Sequence, residues 1–146
     1  MATPQDAELI LRLYELRRED VMRRARNFVT SAEFLPQTVE DIKAVLANPE
    51  QSAYFRQMTS YWDMAAAMVN HGSINAELFY DTNGEYLAIW AKLGELMPQL
   101  REQIFGPQYM KNLEKLIQNQ PNALPRIEMF KARYKKMAEA RAQQTP

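Results

Sequence analysis

The sequence predicts an all-α fold, a compact bundle of six or seven helices, on three observations. Four glycines in 146 residues leave little material for tight turns and hairpins. Ala, Leu, Glu, Gln, Met, Lys and Arg dominate, and these residues lose least on entering a helix. Apolar positions recur at spacings of three and four nearly throughout, the period of a helix with one buried face. With 47% hydrophobic and 25% charged residues, the chain suits a single globular domain over 1–146 with one sizeable core.

The chain opens with Thr3-Pro4-Gln5-Asp6, an N-cap with proline at the first helical position and an acid at the positive helix end. Ile10, Tyr14, Val21, Ala25, Phe28 and Ala32 then step by three or four, with one gap at Arg17. This spacing predicts a long N-terminal helix over 1–34, about 45 Å from end to end. Its middle, "RREDVMRRARN", is polar nearly all round, as a helix that is solvated or covered by a second chain would be. The arginine row Arg17, Arg18, Arg23, Arg24 and Arg26 reads as self-neutralised, with Glu19–Arg23 and Asp20–Arg24 as i,i+4 pairs. Leu35-Pro36 stops the helix.

Thr38 and Asp41 form a capping box for a short helix that ends at Asn48-Pro49. A third helix is predicted over 50–71, the most apolar of all, with Phe55, Met58, Trp62, Ala65 and Val69 in one stripe. It belongs at the centre of the bundle. His71 closes it, Gly72 supplies a left-handed turn, and Ser73 is placed to cap the two-turn helix that follows, ending near Tyr80. "DTNG" opens the next long helix, with Thr82 and Glu85 placed as a second capping box. Its stripe of Tyr86, Trp90, Leu93, Met97, Leu100 and Ile104 is interrupted by Pro98, which either kinks the helix near Gly94 or separates two. Gly106-Pro107 leads into a helix bearing Met110, Leu113 and Ile117. After Asn119-Gln120-Pro121-Asn122, a last helix carries Ile127, Phe130, Tyr134 and Met137, with a frayed tail expected over 140–146.

Several chemistries are excluded or unsupported. No cysteine is present, so disulfides, thiolate nucleophiles and zinc–thiolate sites are out. The longest apolar runs, "MAAAMV" and "YLAIWA", fall far short of the roughly 20 residues that span a bilayer. "MATPQDAEL" has neither the basic nor the apolar region of a signal peptide, so no membrane partner and a cytoplasmic location are expected. His71 is the single histidine, too few for a histidine metal site, and neither a nucleophile elbow nor a glycine-rich oxyanion loop accompanies Ser73 and Asp81. "DTNGEY" fails as a calcium loop, because Gly84 is fourth from Asp81 and the twelfth position is Lys92. Adjacent acids such as Glu19-Asp20 and Glu40-Asp41 point about 100° apart on a helix, so they make no shared-proton dyad. The reading leans to a chain with no catalytic residue, no metal and no cofactor, and an enzyme using His71 with Asp81 or Asp63 is kept as a third possibility.

The formal charge is zero but unevenly placed. Residues 1–34 carry six acids and six bases, residues 35–100 eight and three, and residues 101–146 four and nine. An acidic middle and a basic end suit contact within the fold or across a dimer better than nucleic acid, which calls for a basic excess.

From Asn48 to Glu102 the chain is similar to a family of small bacterial helical proteins classed as domains of unknown function. The similarity rests on Asn48-Pro49, "YFRQMTSYWDMAAAMVNHG", "INAELFYD" and "YLAIWAKLGELMPQLRE". It implies a helical fold and a bacterial origin, and it brings no site residues. The functional expectation is therefore a self-associating interaction module, a homodimer through the 1–34 segment with room for another protein partner. The alternative is a small-ligand binding protein whose aromatic pocket, between the two central helices, is formed by Tyr61, Trp62, Tyr80, Tyr86 and Trp90, Tyr and Trp having polar tips that need partners when buried.

Overall fold

Asn48-Pro49 starts the helix around which the others pack. In the computed structural model, which describes residues 1–144, the Asn48 side chain accepts from the backbone N–H groups of Glu50 and Gln51, both at 3.0 Å. Pro49 takes the first helical position. This helix, α4, runs unbroken over Pro49–Asn70. Before it come α1 (Pro4–Arg17), α2 (Asp20–Thr30) and α3 (Val39–Ala47). After it come α5 (Ala76–Thr82), α6 (Glu85–Leu93), α7 (Met97–Leu100), α8 (Lys111–Asn119) and α9 (Ala123–Gln144). No strand occurs among the described residues, and the fold is all-α. α2, α3, α5 and α8 pack on α4, and α9 packs on α6.

A 3-10 turn over Gly94–Leu96 joins α6 to α7, and a π turn over Arg101–Phe105 follows, so that Glu85–Phe105 forms one nearly continuous rod. Counted as one helix, the rod brings the described total to eight. Pro98 falls in the first turn of α7, where its missing N–H has no intrahelical acceptor to lose. The change of helix type therefore lies at Gly94, as a kink there predicts. Glycine at that point leaves room for the Trp90 indole, because a Cβ on Gly94 would stand 2.8 Å from the indole nitrogen and the ring would have to shift.

The N-terminal helix expected over 1–34 is broken. Glu19 is extended (φ −64°, ψ 142°) and caps α2, its carboxylate accepting from Val21 and Met22 N–H at 3.4 and 3.3 Å. Nothing in "RREDV" disfavours a helix, so the cause is tertiary. Arg17 and Arg26 both reach the Glu85 carboxylate of α6. In a straight helix, nine residues would set them about 13 Å and about half a turn apart. The break also resets the buried face. α1 buries Asp6, Ile10 and Leu13, and α2 buries Met22, Ala25, Phe28 and Val29. Tyr14 and Val21, predicted inward, face out.

Two caps differ from expectation for one reason each. Ser73 and Gly72 spend their N–H groups closing α4, on Met68 O at 2.9 Å and Val69 O at 3.0 Å, with Gly72 at φ +84°. The cap of α5 is consequently Asn75, which accepts from Leu78 N–H at 2.9 Å. Thr82 lies in the last turn of α5 and donates to Leu78 O at 2.7 Å, while Glu85 turns inward, so α6 starts at Gly84 with no side-chain cap. The Thr38–Asp41 box is present as read. The tail remains helical through Gln144, with Arg141 donating to Ala32 O at 2.6 Å; residues 145–146 lie outside the described ones.

Asp6 and Asp63 act as caps across the fold. Asp6 accepts from Thr3 N–H at 2.6 Å and from Asn75 N–H at 2.9 Å, which ties α1 to the start of α5. Asp63 of α4 accepts from Leu113 N–H at 2.9 Å and from the Asn112 amide at 3.0 Å, capping α8, whose own N-cap Met110 offers nothing.

Two tests follow from these contacts. Gly94→Ala drives a methyl into the Trp90 indole and should lower stability in urea unfolding by about 1–3 kcal/mol. A gain would show that the indole yields and that helix propensity wins, which favours alanine by up to about 1 kcal/mol. The Thr3 backbone N–H above all, with the Thr3 hydroxyl and Asn75 N–H, holds the Asp6 carboxyl below its usual range despite burial. A lowered folded pKa contributes stability above the unfolded value, lost as pH falls through the folded one. Thermal melting should therefore decline less between about pH 5 and pH 3 in Asp6→Asn than in the wild type. Parallel declines would remove Asp6 from the acid response.

Candidate functional site

The structure brings together three of the five aromatic residues picked out in the sequence. Tyr61, Trp62 and Tyr86 are buried, and their rings fill the space between α4 and α6. Tyr61 meets Trp62 edge-on with ring centroids 5.0 Å apart, and Trp62 lies 5.5 Å from Tyr86. Phe79 of α5, which the sequence reading passed over, completes the cluster at 5.5 Å from Tyr86. The polar tips find partners. Tyr61 Oη donates to Leu13 O at 2.7 Å, and Tyr86 Oη donates to Gln120 Oε1 at 2.6 Å. Burial pushes both phenols well above their usual range. Tyr80 and Trp90 are half-buried and take no part in these ring contacts. Trp90 lines a cleft of about 540 Å³ with Ile117, Leu124 and Pro125.

Above the cluster sits a polar hub. Glu85 accepts from Trp62 Nε1 at 3.3 Å, from Arg26 Nε at 2.9 Å and from Arg17 Nη2 at 3.4 Å. The Arg17 guanidinium also lies over the Trp62 ring, 5.2 Å from its centroid. Arg17 and Glu85 are 14% and 12% exposed at the side chain, so the charges are screened far less than surface pairs. Capping-box spacing made Glu85 read as a helix cap, and no short-range signal marks its long-range role.

Lys92 is the second unforeseen residue. It is 8% exposed, and its ammonium donates to three backbone carbonyls, Val29 O at 2.7 Å, Ser31 O at 2.9 Å and Phe34 O at 2.7 Å. The rings of Tyr134 and Phe34 lie 4.5 and 5.5 Å from its nitrogen. Burial pushes its pKa down to about 7, whereas each carbonyl favours the charged form. A clue was present in the sequence, since Lys92 is the one charged residue in the run from Tyr86 to Leu93.

His71 is exposed at the end of α4, its backbone N–H donating to Ala67 O, and it serves as helix punctuation. Asp81 is exposed, and Asp63 is engaged by α8. Among the described residues no cluster of three or more histidine, aspartate or glutamate side chains is placed to hold a metal, and no helix is long and apolar enough to cross a membrane.

Exposed large apolar side chains concentrate on α1 and at its junction with α2. Leu11 is 60% and Tyr14 51% exposed, with Leu16 and Val21 also exposed beside the α1–α2 break. Ala7, Leu11, Tyr14 and Arg18 follow one another at spacings of four, three and four along the outer face, and the Arg18 guanidinium covers the Tyr14 ring at 5.7 Å.

Glu85→Gln should cost about 2–3 kcal/mol in urea unfolding, since it leaves two partly buried guanidinium groups facing a neutral amide. Lys92→Met should cost a similar amount, about 2–4 kcal/mol, by stranding three carbonyls. A loss below about 0.5 kcal/mol, the size of an ordinary surface substitution, would show that water replaces the missing group.

Neither the curated proteins nor the solved structures contain a match to this chain. The family described as Domain of unknown function (DUF4760) matches residues 2–120, from before α1 to the end of α8, and leaves α9 outside. Covering well over half of the sequence, that match makes the chain a member of the DUF4760 family.

Proposed function

We propose that this protein is a self-associating interaction module without catalysis, a homodimer formed through the outer face of α1. The observation that carries the reading is where exposed apolar side chains lie. Of the eight large apolar residues exposed in the described chain, five (Met1, Leu11, Tyr14, Leu16 and Val21) fall in the first 21 residues. A 4-3-4 stripe at this exposure is the pattern of a helix seam lacking its second strand.

Charge makes a second copy the fitting occupant. Glu8, Arg12 and Glu15 flank the stripe on one side, alternating in sign. In an antiparallel pair that sets Leu11 against Tyr14, that flank meets itself, and Arg12 of each copy comes beside Glu15 of the other. The acidic middle and basic end are partly neutralised inside the fold, as by Lys131 and Glu95 at 3.0 Å, so the charge split is a weaker argument for association than the α1 face. The seam spans about 16 Å from Ala7 to Arg18, short enough for a micromolar dimer.

Sedimentation velocity from about 1 to 500 µM tests this, with a dimer expected in the upper part of the range. Leu11→Glu should return the protein to a monomer with an unchanged melting temperature. A wild type that stays monomeric throughout overturns the reading, as does a dimer indifferent to Leu11→Glu.

The cleft beside Trp90 favours a second reading, a protein that binds a small apolar ligand there. Titration of hydrophobic metabolites should then shift Trp90 fluorescence, and the shift should vanish in Trp90→Phe. A flat response from the whole panel would end this reading.

A further inference from the structure

Between α7 and α8 the backbone departs from regular geometry twice. The π turn over Arg101–Phe105 ends at Gly106 (φ +94°), and Met110 takes a left-handed conformation (φ +58°) at the start of α8. Such conformations persist in a non-glycine residue only where the surroundings enforce them, and they gather at ligand sites. The irregular corner stacks Phe105 on Tyr109, with ring centroids 4.0 Å apart and planes 17° from parallel. Between this stack and α4 lies a pocket of about 350 Å³, at the small end of the range for ligand sites.

The walls carry separated, opposite charges. Asp63 receives one hydrogen bond on each carboxylate oxygen, from Asn112 and from Leu113 N–H, which leaves acceptor capacity on both. No arginine or lysine pairs with it among the described residues. Arg56 lies over Phe105 at 5.8 Å and donates from Nε to Ser52 at 3.2 Å. The two residues are seven apart on one helix face, about 10 Å along its axis. At the pocket wall the Tyr109 hydroxyl is enclosed near Thr59, Arg56 and Asp63, with only the Thr59 hydroxyl close enough to bond it, weakly. Burial pushes its pKa up to about 12, so it stays a donor at neutral pH. Buried donors are nearly always well satisfied, and one so weakly held beside a pocket marks where an arriving acceptor would bind.

We infer that this pocket binds a small zwitterion of the amino-acid or short-peptide class, its ammonium at Asp63, its carboxylate at Arg56 and its body along the Phe105–Tyr109 stack. Each half of the charge pair recognises one end, and the aromatic faces favour an ammonium or a methylene chain between them. The site lies away from the α1 face and does not depend on self-association.

The test uses the full-length protein with 6-aminohexanoate as probe, and hexylamine and hexanoate as controls carrying one charge each, read by calorimetry and ligand-observed NMR. The zwitterion should bind at least about tenfold more tightly than either control, the worth of one added charge-assisted contact. Arg56→Gln, an exposed substitution, should reduce 6-aminohexanoate to the level of hexylamine without changing the melting temperature. Asp63→Asn should reduce it to the level of hexanoate, with circular dichroism confirming that α8 remains folded. Tyr109→Phe should weaken binding severalfold while leaving the free protein as stable or more so. Equal binding of hexylamine, indifference to Arg56→Gln, or no zwitterion binding at 10 mM would each overturn the inference.

Discussion

The Glu85 carboxylate accepts from Trp62, Arg17 and Arg26 at once, so α1, α2, α4 and α6 meet at a single, largely buried charge. An apolar interface alone would let helices slide by a turn at modest cost, because leucines and methionines interchange readily. A carboxylate held by two guanidinium groups and an indole N–H has one register. Its net contribution to stability is small, since desolvating the charges offsets much of their attraction. Its effect is selective: it fixes where α1 ends, where α2 begins and how both sit on Trp62. One Arg17 nitrogen, Nε, is buried without a partner, which is the cost of this convergence.

The same economy governs the helix ends. A chain with four glycines cannot place a left-handed glycine at every junction, and of the four, Gly72 and Gly106 take a positive φ. Local caps such as Thr38 and Asn48 close some ends, and side chains from distant helices close others, with signs that match the helix dipole. Asp63 meets the positive N-terminus of α8, and Asp6 meets the start of α5. Lys92 gathers carbonyls from the negative end of α2 and the segment beyond it, where Arg141 adds a hydrogen bond to Ala32 O. These junctions are therefore tertiary, and each depends on the helices being assembled.

That dependence explains what could be read from the sequence. α4, with its cap at Asn48 and its end at Gly72, was legible because its signals are local: an Asx cap, a proline and one glycine. The Thr38–Asp41 box was legible for the same reason. The break at Glu19 was not, because its residues suit a helix and its cause is Glu85, more than sixty positions away. The box at Thr82 and Glu85 had the correct spacing and the wrong partner, since an acid that can cap a helix can equally accept from two arginines. Three of the five aromatic residues come together, but spacing alone does not say whether rings line a space or occupy it. Between Tyr61, Trp62, Phe79 and Tyr86 they occupy it.

A filled interior shifts the question of function outward. Trp62 has no solvent exposure, and the phenols beside it already donate to Leu13 and Gln120, so a ligand entering there would have to break satisfied contacts. The outer face of α1 presents the opposite case. Its inner stripe of Asp6, Ile10 and Leu13 already anchors the helix, so Leu11 and Tyr14 are not needed for folding, yet they are large, apolar and adjacent. Exposed apolar side chains scattered singly need no explanation, but a periodic pair on one face, flanked by charges of alternating sign, has the composition of an interface. The Glu85 contact that settles the inside of the molecule thus leaves Leu11 and Tyr14 exposed, on the face we propose for self-association.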